Sequence, residues 1–510
     1  MTYLSRAFAA LVLAGLLSCS ATKNLSTDNQ KIDVAFLQIN DVYEIAPLAG
    51  GKEGGVARVA TLKKQWLQKN PNTFLVIAGD FLSPSVYNSL QYEGKAIRGK
   101  QMVESLNAAG LDLAVFGNHE FDIKENELLD RINESGFQWV STNTFHKHND
   151  RAEPFVKNGR PVPETYVMRV KDADGTTAKI GILTATLPFN RADYVSYTDA
   201  LASVKVAYNS LKDSVDAVVA ITHQTIAEDK KLAAEIPGLA VILGGHEHDM
   251  RFEKVGNVYI TKAHANAKSA YVVQVNINKK KKTIKVEPQL VYLNERIALD
   301  SATSLVVTKW TDIAEKNYSS LGFEARKIIL DKAAPLDGRE AEVRSHPTNL
   351  TKLIVRSMQD AAPQADVVLM NSGSIRVDDV LQMPVTEYDI IRTLPFGGGI
   401  READVKGSLL LKVLEQGQKN RGIGGYLLYN ETITKEYGTW KLKGSAIEPE
   451  KTYRVAMTDF LFTGKEANLD FLNPRNPEVT HLYEPATSLA DARSDIRLAI
   501  VRYLEKNSRL

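Results

Sequence analysis

The chain has very little cysteine and no excess of charge of either sign. Cys19 is the only cysteine among 510 residues, so no intrachain disulfide can form and no second thiol is available to oxidise. Lys and Arg number 63 against 61 Asp and Glu, a balance that gives no indication of a surface that coats nucleic acid. The one basic cluster, Lys279–Lys282, lies between two strand-like segments, which predicts a solvated hairpin turn.

The N-terminal apolar run is also short. AFAALVLAGLL follows Arg6 and does not have the length of a stable membrane-spanning helix. It leads into LLSC, which ends at Cys19 and resembles a bacterial lipoprotein signal, in which the cysteine becomes the lipidated first residue. This resemblance implies an exported protein that is anchored to a bacterial membrane through lipidated Cys19 and faces the periplasm or the cell surface. The alternative is an ordinary secretory signal with an incidental cysteine.

The length excludes a single hydrophobic core and favours two domains with an appendage. Short Val/Ile/Leu-rich runs alternate with helical stretches, which is typical of buried α/β sheets. No internal repeat or low-complexity tract interrupts this pattern. The predicted divisions are a signal over 1–19, a tether over 20–30, an α/β domain over 31–298, a connecting helix over 299–329 and a second α/β domain over 330–510.

Polar motifs follow five of the strand-like runs in the first domain. Ligands of α/β sheets bind beyond the carboxyl ends of the strands, so these motifs are expected to converge. Carboxylate, amide and imidazole side chains together suit hard or borderline divalent metals. Each motif alone is weak evidence, because a strand-ending Asp usually caps a helix and a lone His is usually structural. The motifs are Asp41-Val42-Tyr43, Gly79-Asp80, Gly117–Asp122, His223 and Gly244–His248.

In this order, the motifs resemble those of the calcineurin-like metallophosphatases. NSGSIR (371–376) and TLPFGGG (393–399) resemble the C-terminal domain of bacterial and animal 5′-nucleotidases. The resemblance extends from about residue 33 to about residue 505. It implies a four-layer α/β/β/α metallophosphatase sandwich followed by an α/β substrate-binding domain of the 5′-nucleotidase type.

The resemblance also implies a centre of two divalent metal ions. The candidate elements are Zn, Mn, Mg and Fe. Such a centre polarises a phosphoryl group and activates water at neutral pH. The implied ligands are Asp41 and His248 for the first metal, Asn118, His223 and His246 for the second, and Asp80 as the bridge between them.

His119 resembles the family's acid, which stabilises developing charge and helps the leaving oxygen to depart. Asp122 is expected to orient its imidazole, in the way that carboxylates orient histidines in other active sites. A helix N-cap is an alternative role for Asp122, and the two roles are compatible.

Tyr43 departs from the family, which usually has His at this position. A neutral phenol is a poor ligand for Zn or Mg, since its pKa is about 10. One hypothesis is that Tyr43 does not bind metal and that His248 compensates, because many nucleotidases have an amide side chain where His248 stands. The other hypothesis is a Tyr–Fe(III) bond.

In the second domain, Asn371 and Arg376 match the residues that bind phosphate, for which the planar fork of Arg is well suited. Phe396 and Phe460 match the two aromatics that enclose a base, and stacking of this kind tolerates many bases. The alternative for both phenylalanines is core packing.

Two further departures affect the nucleoside. His346 replaces an expected Arg, and Arg344 is a possible substitute for it. The segment Gly464–Ala467 lacks the ribose-binding Asp of the resembling family, and Glu466 and Asp470 are the candidates to replace it.

The function predicted from these residues is that of a two-metal phosphate-ester hydrolase, specifically a 5′-nucleotidase that acts outside the cytoplasm on nucleotides and not on nucleic-acid polymers. Alternatives on the same fold are a 2′,3′-cyclic-nucleotide phosphodiesterase, a nucleotide-sugar hydrolase or another phosphoesterase. An alternative of another class is a non-catalytic surface-binding lipoprotein, supported only by Tyr43. The otherwise intact ligand set argues against it.

Overall fold

The computed structural model describes residues 28–149, 151–189 and 192–507. The predicted lipidation site, Cys19, and most of the predicted tether lie outside these ranges. Within them, no helix combines the length and the apolarity needed to cross a bilayer. Sheets and helices alternate along the described chain, as the sequence pattern predicts.

A six-stranded sheet begins at the first described strand. Its central strands are parallel, with Ala35 opposite Thr73, and an antiparallel hairpin closes one edge. The predicted turn at Lys279–Lys282 connects the two strands of this hairpin. In spatial order the strands are Thr283–Tyr292, Ser269–Asn278, Lys31–Ile39, Thr73–Ala78, Leu113–Val115 and Gln138–Val140.

A second six-stranded sheet packs against the first. Its parallel register places His223 opposite Gly245, so two of the predicted motifs meet at one sheet edge. In spatial order the strands are Tyr166–Lys171, Thr177–Thr186, Ala217–His223, Val241–Gly245, Val258–Lys262 and Arg251–Val255.

Apolar side chains from both sheets, among them Phe36 and Val219, form one continuous core between them. Helices cover the outer face of each sheet, which confirms the predicted α/β/β/α sandwich. Thr225 and Glu228 form a capping box at the start of helix Ile226–Glu235, with Thr225 N donating to Glu228 Oε2 over 2.9 Å. The helices are Val56–Lys69, Lys100–Ala109 and Glu125–Glu134 on the first sheet, and Ala200–Leu211 and Ile226–Glu235 on the second.

Helix Ser301–Ser320 follows the sandwich and packs on it. Asp300 caps the helix by accepting a hydrogen bond from Thr303 N over 3.0 Å. Trp310 is fully buried, and its indole donates to Glu104 of the sandwich over 3.0 Å. The predicted connecting helix is therefore anchored to the N-terminal sandwich.

The C-terminal domain is built around a five-stranded mixed sheet. Helix Gly407–Lys419 covers one face with the apolar residues Leu409, Val413 and Leu414. Helices Asn349–Ala361 and Ile496–Asn507 pack against each other. In spatial order the strands are Leu427–Tyr429, Val367–Asn371, Thr452–Thr458, Ile400–Lys406 and Val479–Leu482.

Candidate metal centre and substrate cleft

Three predicted ligands converge where three parallel strands end. Asp41 and Asp80 each follow a strand of the first sheet, and His223 ends a strand of the second. One ligand atom from each lies within 4.8 Å of the other two, and all three residues are buried. Two carboxylates and an imidazole therefore face one another inside the sandwich.

The orientation of His223 leaves one ring nitrogen facing the carboxylates. Its Nδ1 lies 2.8 Å from the carbonyl oxygen of Ala78, which can only accept, so Nδ1 carries the hydrogen. Its Nε2 lies 3.0 Å from Asp80 Oδ2 and 3.9 Å from Asp41 Oδ1, and it makes no hydrogen bond. Burial opposes protonation, but Asp80 and Asp41 outweigh it and raise the pKa of His223 to about 9. The same negative charge attracts a divalent cation.

Asn118 and His246 lie beside this cluster. The amide oxygen of Asn118 is buried and has no hydrogen-bond partner among the described residues. The ring of His246 packs edge-on against that of His223, with 5.4 Å between the ring centroids. Burial, reinforced by the charge of His223, lowers the pKa of His246 to about 4. His246 is therefore neutral at physiological pH, as a metal-binding imidazole must be.

Three residues of the implied ligand set have a backbone in the left-handed region. The φ angles are 52° at Asp41, 53° at Asp80 and 85° at His246. Glycines allow the close approach of the loops. A Cβ at position 117 would lie 2.1 Å from Asp80 Oδ1, and one at position 245 would lie 2.2 Å from the carbonyl oxygen of Ala78. The glycines of the GNHE and GGHEH motifs are thus required by packing around the ligands.

Glu120 fixes the loop that carries Asp80, a role that the sequence motifs did not predict. Its carboxylate accepts hydrogen bonds from the backbone N–H groups of Asp80 at 2.9 Å, Phe81 at 2.7 Å, Leu82 at 3.1 Å and Gly117 at 2.6 Å. Burial, with the charge of Asp80, raises the pKa of Glu120 to about 7. Its position in GNHEFD, between two candidate catalytic residues, was the available indication of this role.

His119 and Asp122 form the pair that the sequence predicts. His119 Nδ1 lies 2.6 Å from Asp122 Oδ2, and Ser83 Oγ donates to the same oxygen over 3.1 Å. His119 N donates to Asp80 Oδ1 over 2.7 Å, which holds this residue next to the cluster. Burial opposes protonation of His119, but Asp80 and Asp122 together raise its pKa, which favours the acid form.

Comparison with known proteins agrees with this geometry. Residues 34–250 match the family model of calcineurin-like phosphoesterases, and residues 329–472 match that of the 5′-nucleotidase C-terminal domain. The chain combines a calcineurin-like phosphoesterase domain with a 5′-nucleotidase C-terminal domain. It is therefore a metal-dependent phosphoester hydrolase.

Individual relatives align along most of this phosphoesterase. A snake venom 5′-nucleotidase from Naja atra is 26% identical over 81% of this chain and 84% of its own length. The 5′-nucleotidase precursor from Thermus thermophilus has a TM-score of 0.64 at 22% identity, over 94% of this chain and 97% of its own. A sulfate thiohydrolase from Thermus thermophilus, SoxB, has a TM-score of 0.61 at 14% identity, over 93% and 94%. At sequence identities of 22% and 14%, the similarity to these two solved structures shows only that the fold is shared.

The residues present in the phosphoesterase fit the divalent metal that its family implies. Buried carboxylates need a cation or hydrogen-bond donors to offset the loss of water. Asp41 Oδ2 accepts from Asn40 Nδ2 over 2.7 Å and from His246 N over 3.0 Å, whereas Oδ1 has only a long hydrogen bond from Tyr43 Oη at 3.4 Å. Burial raises its pKa against the attraction of His223. With the unpaired amide oxygen of Asn118, these groups form a donor set of the kind that hard and borderline metals bind.

Tyr43 and His248 lie at the rim of the cluster and contact each other. Tyr43 Oη is 3.0 Å from His248 Nε2 and 3.4 Å from Asp41 Oδ1. Burial, reinforced by Asp80 and Asp41, raises the pKa of Tyr43 well above its usual value. A protonated phenol that hydrogen-bonds to His248 supports the hypothesis of a Tyr43 that does not bind metal. The assignment remains a prediction.

A cleft of about 1120 Å³ lies between the metal-ligand cluster and the C-terminal domain. Asn118, His119 and His246 line one wall, and Arg344 and Arg376 line the other. Arg344 forms an ion pair with Glu340, with 2.6 Å between Nη1 and Oε1. The guanidinium of Arg376 has no hydrogen bond or ion pair within the described ranges, and its charge opposes protonation of His119. An uncompensated cation therefore faces the metal-ligand cluster.

The two candidate base-binding phenylalanines are not core residues. The side chain of Phe396 is 75% exposed and that of Phe460 is 45% exposed. Their loops are joined, because Asp459 N donates to the carbonyl oxygen of Gly399 over 3.0 Å. The centre of the Arg376 guanidinium lies 6.0 Å from the Phe396 ring centroid. Phe396 therefore adjoins the cation in the cleft.

Asn371 is placed differently from the other candidates. It is 2% exposed, and its amide donates to Glu466 Oε2 over 2.6 Å. His346, which replaces the expected Arg, does not line the cleft, whereas Arg344 does. The structure thus brings Arg344 and Arg376 to the cleft and places Asn371 inside the C-terminal domain. The substrate-binding roles of all of them stay predictions.

Proposed function

We propose that this phosphoesterase is a 5′-nucleotidase that releases phosphate and nucleoside outside the cytoplasm. The observation that carries the proposal is the position of Arg376. Its guanidinium makes no hydrogen bond or ion pair among the described residues, and it faces a cluster of metal-ligand side chains across one cleft. A phosphate monoester carries negative charge that both walls of such a cleft attract.

We infer two metal positions that share Asp80, with His248 and Asp41 on one side and Asn118, His223 and His246 on the other. A metal bound there would supply Lewis-acid polarisation of the phosphoryl group and activation of water.

The protein's own residues position the ester and move a proton. Arg376 binds phosphoryl oxygens and aligns the ester, which is the main requirement of phosphoryl transfer. As the bond from water oxygen to phosphorus forms, the bond to the ribose oxygen breaks. His119 donates a proton to that leaving oxygen, and Asp122 keeps its Nδ1 occupied so that Nε2 faces the substrate.

The exposed rings of Phe396 and Phe460 are the proposed base-binding site of the second domain. Stacking on them would let the enzyme accept several nucleobases. In this division of labour, residues 31–298 supply the metal ligands and the proton, and residues 330–510 bind the phosphate and the base.

The test is phosphate release by the full chain after loading with Mn²⁺ or Zn²⁺. The panel contains AMP, UMP, a 2′,3′-cyclic nucleotide, UDP-glucose and glycerol phosphate. We expect the nucleoside monophosphates to have the highest kcat/KM. Arg376→Ala should lower it by ~10–100-fold, since a charged hydrogen bond contributes about 1.5–3 kcal/mol. Arg326→Ala, a change at an exposed Arg that pairs with Asp312, is the matched control.

A preference for glycerol phosphate over every nucleotide would overturn the nucleotidase assignment and leave the phosphoesterase assignment standing. A preference for the cyclic nucleotide or for UDP-glucose would replace it with the corresponding alternative. No turnover of any ester by the metal-loaded protein would favour a binding protein.

We also propose that Cys19 anchors the enzyme to a membrane. Cells that express the full chain should incorporate labelled fatty acid into it, and the protein should sediment with membranes. Cys19→Ser should abolish both. Unchanged labelling of Cys19→Ser would contradict this proposal.

A further inference from the structure

His248 is the only residue of the implied ligand set that contacts a carboxylate of the C-terminal domain within the described ranges. Its Nδ1 lies 2.8 Å from Asp378 Oδ2. Its Nε2 lies on the cluster side of the ring, 3.7 Å from Asp41 Oδ1 and 3.0 Å from Tyr43 Oη. One imidazole therefore connects the metal-ligand cluster to the second domain.

The contact with Asp378 selects a protonation pattern in His248. An ionised carboxylate only accepts hydrogen bonds, so Nδ1 carries the hydrogen. In the neutral ring, the lone pair of Nε2 then points towards Asp41 and Tyr43. Metal-binding histidines characteristically donate their second N–H to a carboxylate, which orients the ring and increases the basicity of the ligating nitrogen. The His248–Asp378 pair has this arrangement.

Asp378 is itself held in place. Its Oδ1 accepts a hydrogen bond from Glu340 N over 2.6 Å, at the start of the short helix Glu340–Val343. Its φ angle is 37°, in the left-handed region that non-glycine residues rarely adopt. Residues in such conformations persist where the surrounding structure imposes them, often at functional sites. The carboxylate is thus presented to His248 by a constrained loop.

The neighbouring residue provides a contrast. Asp379 also reaches the N-terminal sandwich, through Lys268 Nζ at 2.5 Å. Lys268 is not in the implied ligand set. If these carboxylates served only to join the domains, loss of either would have similar effects on metal binding.

We propose that Asp378 is a positioning residue for His248, so that the C-terminal domain completes one of the metal positions in the N-terminal sandwich. The proposal rests on the proposed function, since it takes His248 as a ligand. Metal affinity on the His248 side then depends on docking of the second domain. By thermodynamic reciprocity, metal bound there strengthens the docking by the same factor.

The experiment measures metal binding without turnover. The full chain is stripped with a chelator and titrated with Mn²⁺ or Zn²⁺ by calorimetry, and its metal content is checked by elemental analysis. Asp378→Asn should weaken one metal equivalent by ~10–100-fold and leave the other unchanged, as loss of such a partner typically does. Asp378→Ala should weaken it at least as much. The matched control, Asp379→Asn, should leave both equivalents as in the wild type.

A second readout distinguishes positioning from loosening of the domains. The visible absorption of the Co²⁺-loaded protein reports on the atoms around the metal. It should change in Asp378→Asn and not in Asp379→Asn.

Three results would decide against the proposal or its basis. Wild-type affinity and an unchanged Co²⁺ spectrum in Asp378→Asn would overturn it and leave the phosphoesterase activity intact. Equal weakening by Asp378→Asn and Asp379→Asn would replace it with a general effect of the interface. No metal binding by the wild-type chain would contradict the proposed function itself.

Discussion

The two walls of the cleft are built in different ways. On the sandwich side, Asp41, Asp80 and His223 are buried, follow or end sheet strands and are tied to the backbone of adjacent loops. On the C-terminal side, the Arg376 guanidinium makes no hydrogen bond or ion pair within the described part of the chain, and Phe396 is largely exposed. The first wall is preorganised, whereas the second has groups that remain available to a ligand. Chemistry and recognition are therefore separable, and substitutions on the two walls should give different kinetic signatures.

The largest effect is expected on the sandwich side of the cleft, at Asp80. Asp80→Ala removes the carboxylate shared by His223 and the His119 backbone. Hydrolysis of every ester should fall by ~10⁴-fold or more, because metal ions supply several kcal/mol of charge stabilisation. Phosphate release and metal content are the measurements, and Asp213→Ala at an exposed position is the control. Retained activity would contradict the assignment of catalysis to the sandwich side of the cleft.

A smaller and more selective loss is expected from His119→Gln. Rates with nucleotides should fall by ~10²–10⁴-fold, the usual contribution of general acid catalysis. Metal content should not change, because His119 is not in the ligand set. An activated aryl phosphate should lose less, since its leaving group needs no proton. Equal losses with both esters would argue against the role as acid.

The C-terminal side of the cleft is tested by combining Phe396→Ala with Phe460→Ala. KM for nucleotides should rise by ~5–150-fold, because stacking of a base contributes about 1–3 kcal/mol. Hydrolysis of glycerol phosphate, which has no base, should be nearly unchanged. Phe252→Ala, at an exposed ring on the edge of the second sheet, is the control. If the double variant loses both activities equally, these rings are not a base-binding site.

The smallest effect is expected from Tyr43→Phe, at the rim where the walls meet. It removes the Oη atom that lies 3.4 Å from Asp41 Oδ1 and 3.0 Å from His248 Nε2. A single hydrogen bond of this kind contributes about 0.5–1.5 kcal/mol, so activity should change by less than ~10-fold. The wild-type protein should show no visible phenolate-to-iron band, because burial and the charges of Asp80 and Asp41 raise the pKa of Tyr43 and disfavour the phenolate. An iron-loaded protein whose colour Tyr43→Phe bleaches would establish the Tyr–Fe(III) bond instead.

The predictability of the two walls follows from their construction. The convergence of Asp41, Asp80 and His223 could be predicted because parallel strands end at a common edge, whichever loops follow. The sandwich itself follows from the alternation of apolar runs and amphipathic helices. The C-terminal wall depends on loop conformation and on how two domains pack, which local sequence patterns do not determine.

Three residues illustrate this limit. Glu120 gathers four backbone N–H groups, a role that requires two loops to meet in space. Asp378 reaches His248 from 130 positions away in the sequence. Asn371 matches a substrate-binding motif, yet it lies inside its domain against Glu466. In each case the deciding contact is long-range.

The left-handed backbone at Asp41, Asp80 and His246 affects how this enzyme responds to selection for heat resistance. Each such residue costs about 1–2 kcal/mol relative to an unstrained conformation, a cost that glycine avoids. A glycine at any of the three would relieve strain and also remove a charged or titratable side chain from the interior. Libraries selected only for thermal survival should therefore accumulate changes that inactivate the centre, and directed evolution of this scaffold needs an activity screen at every round.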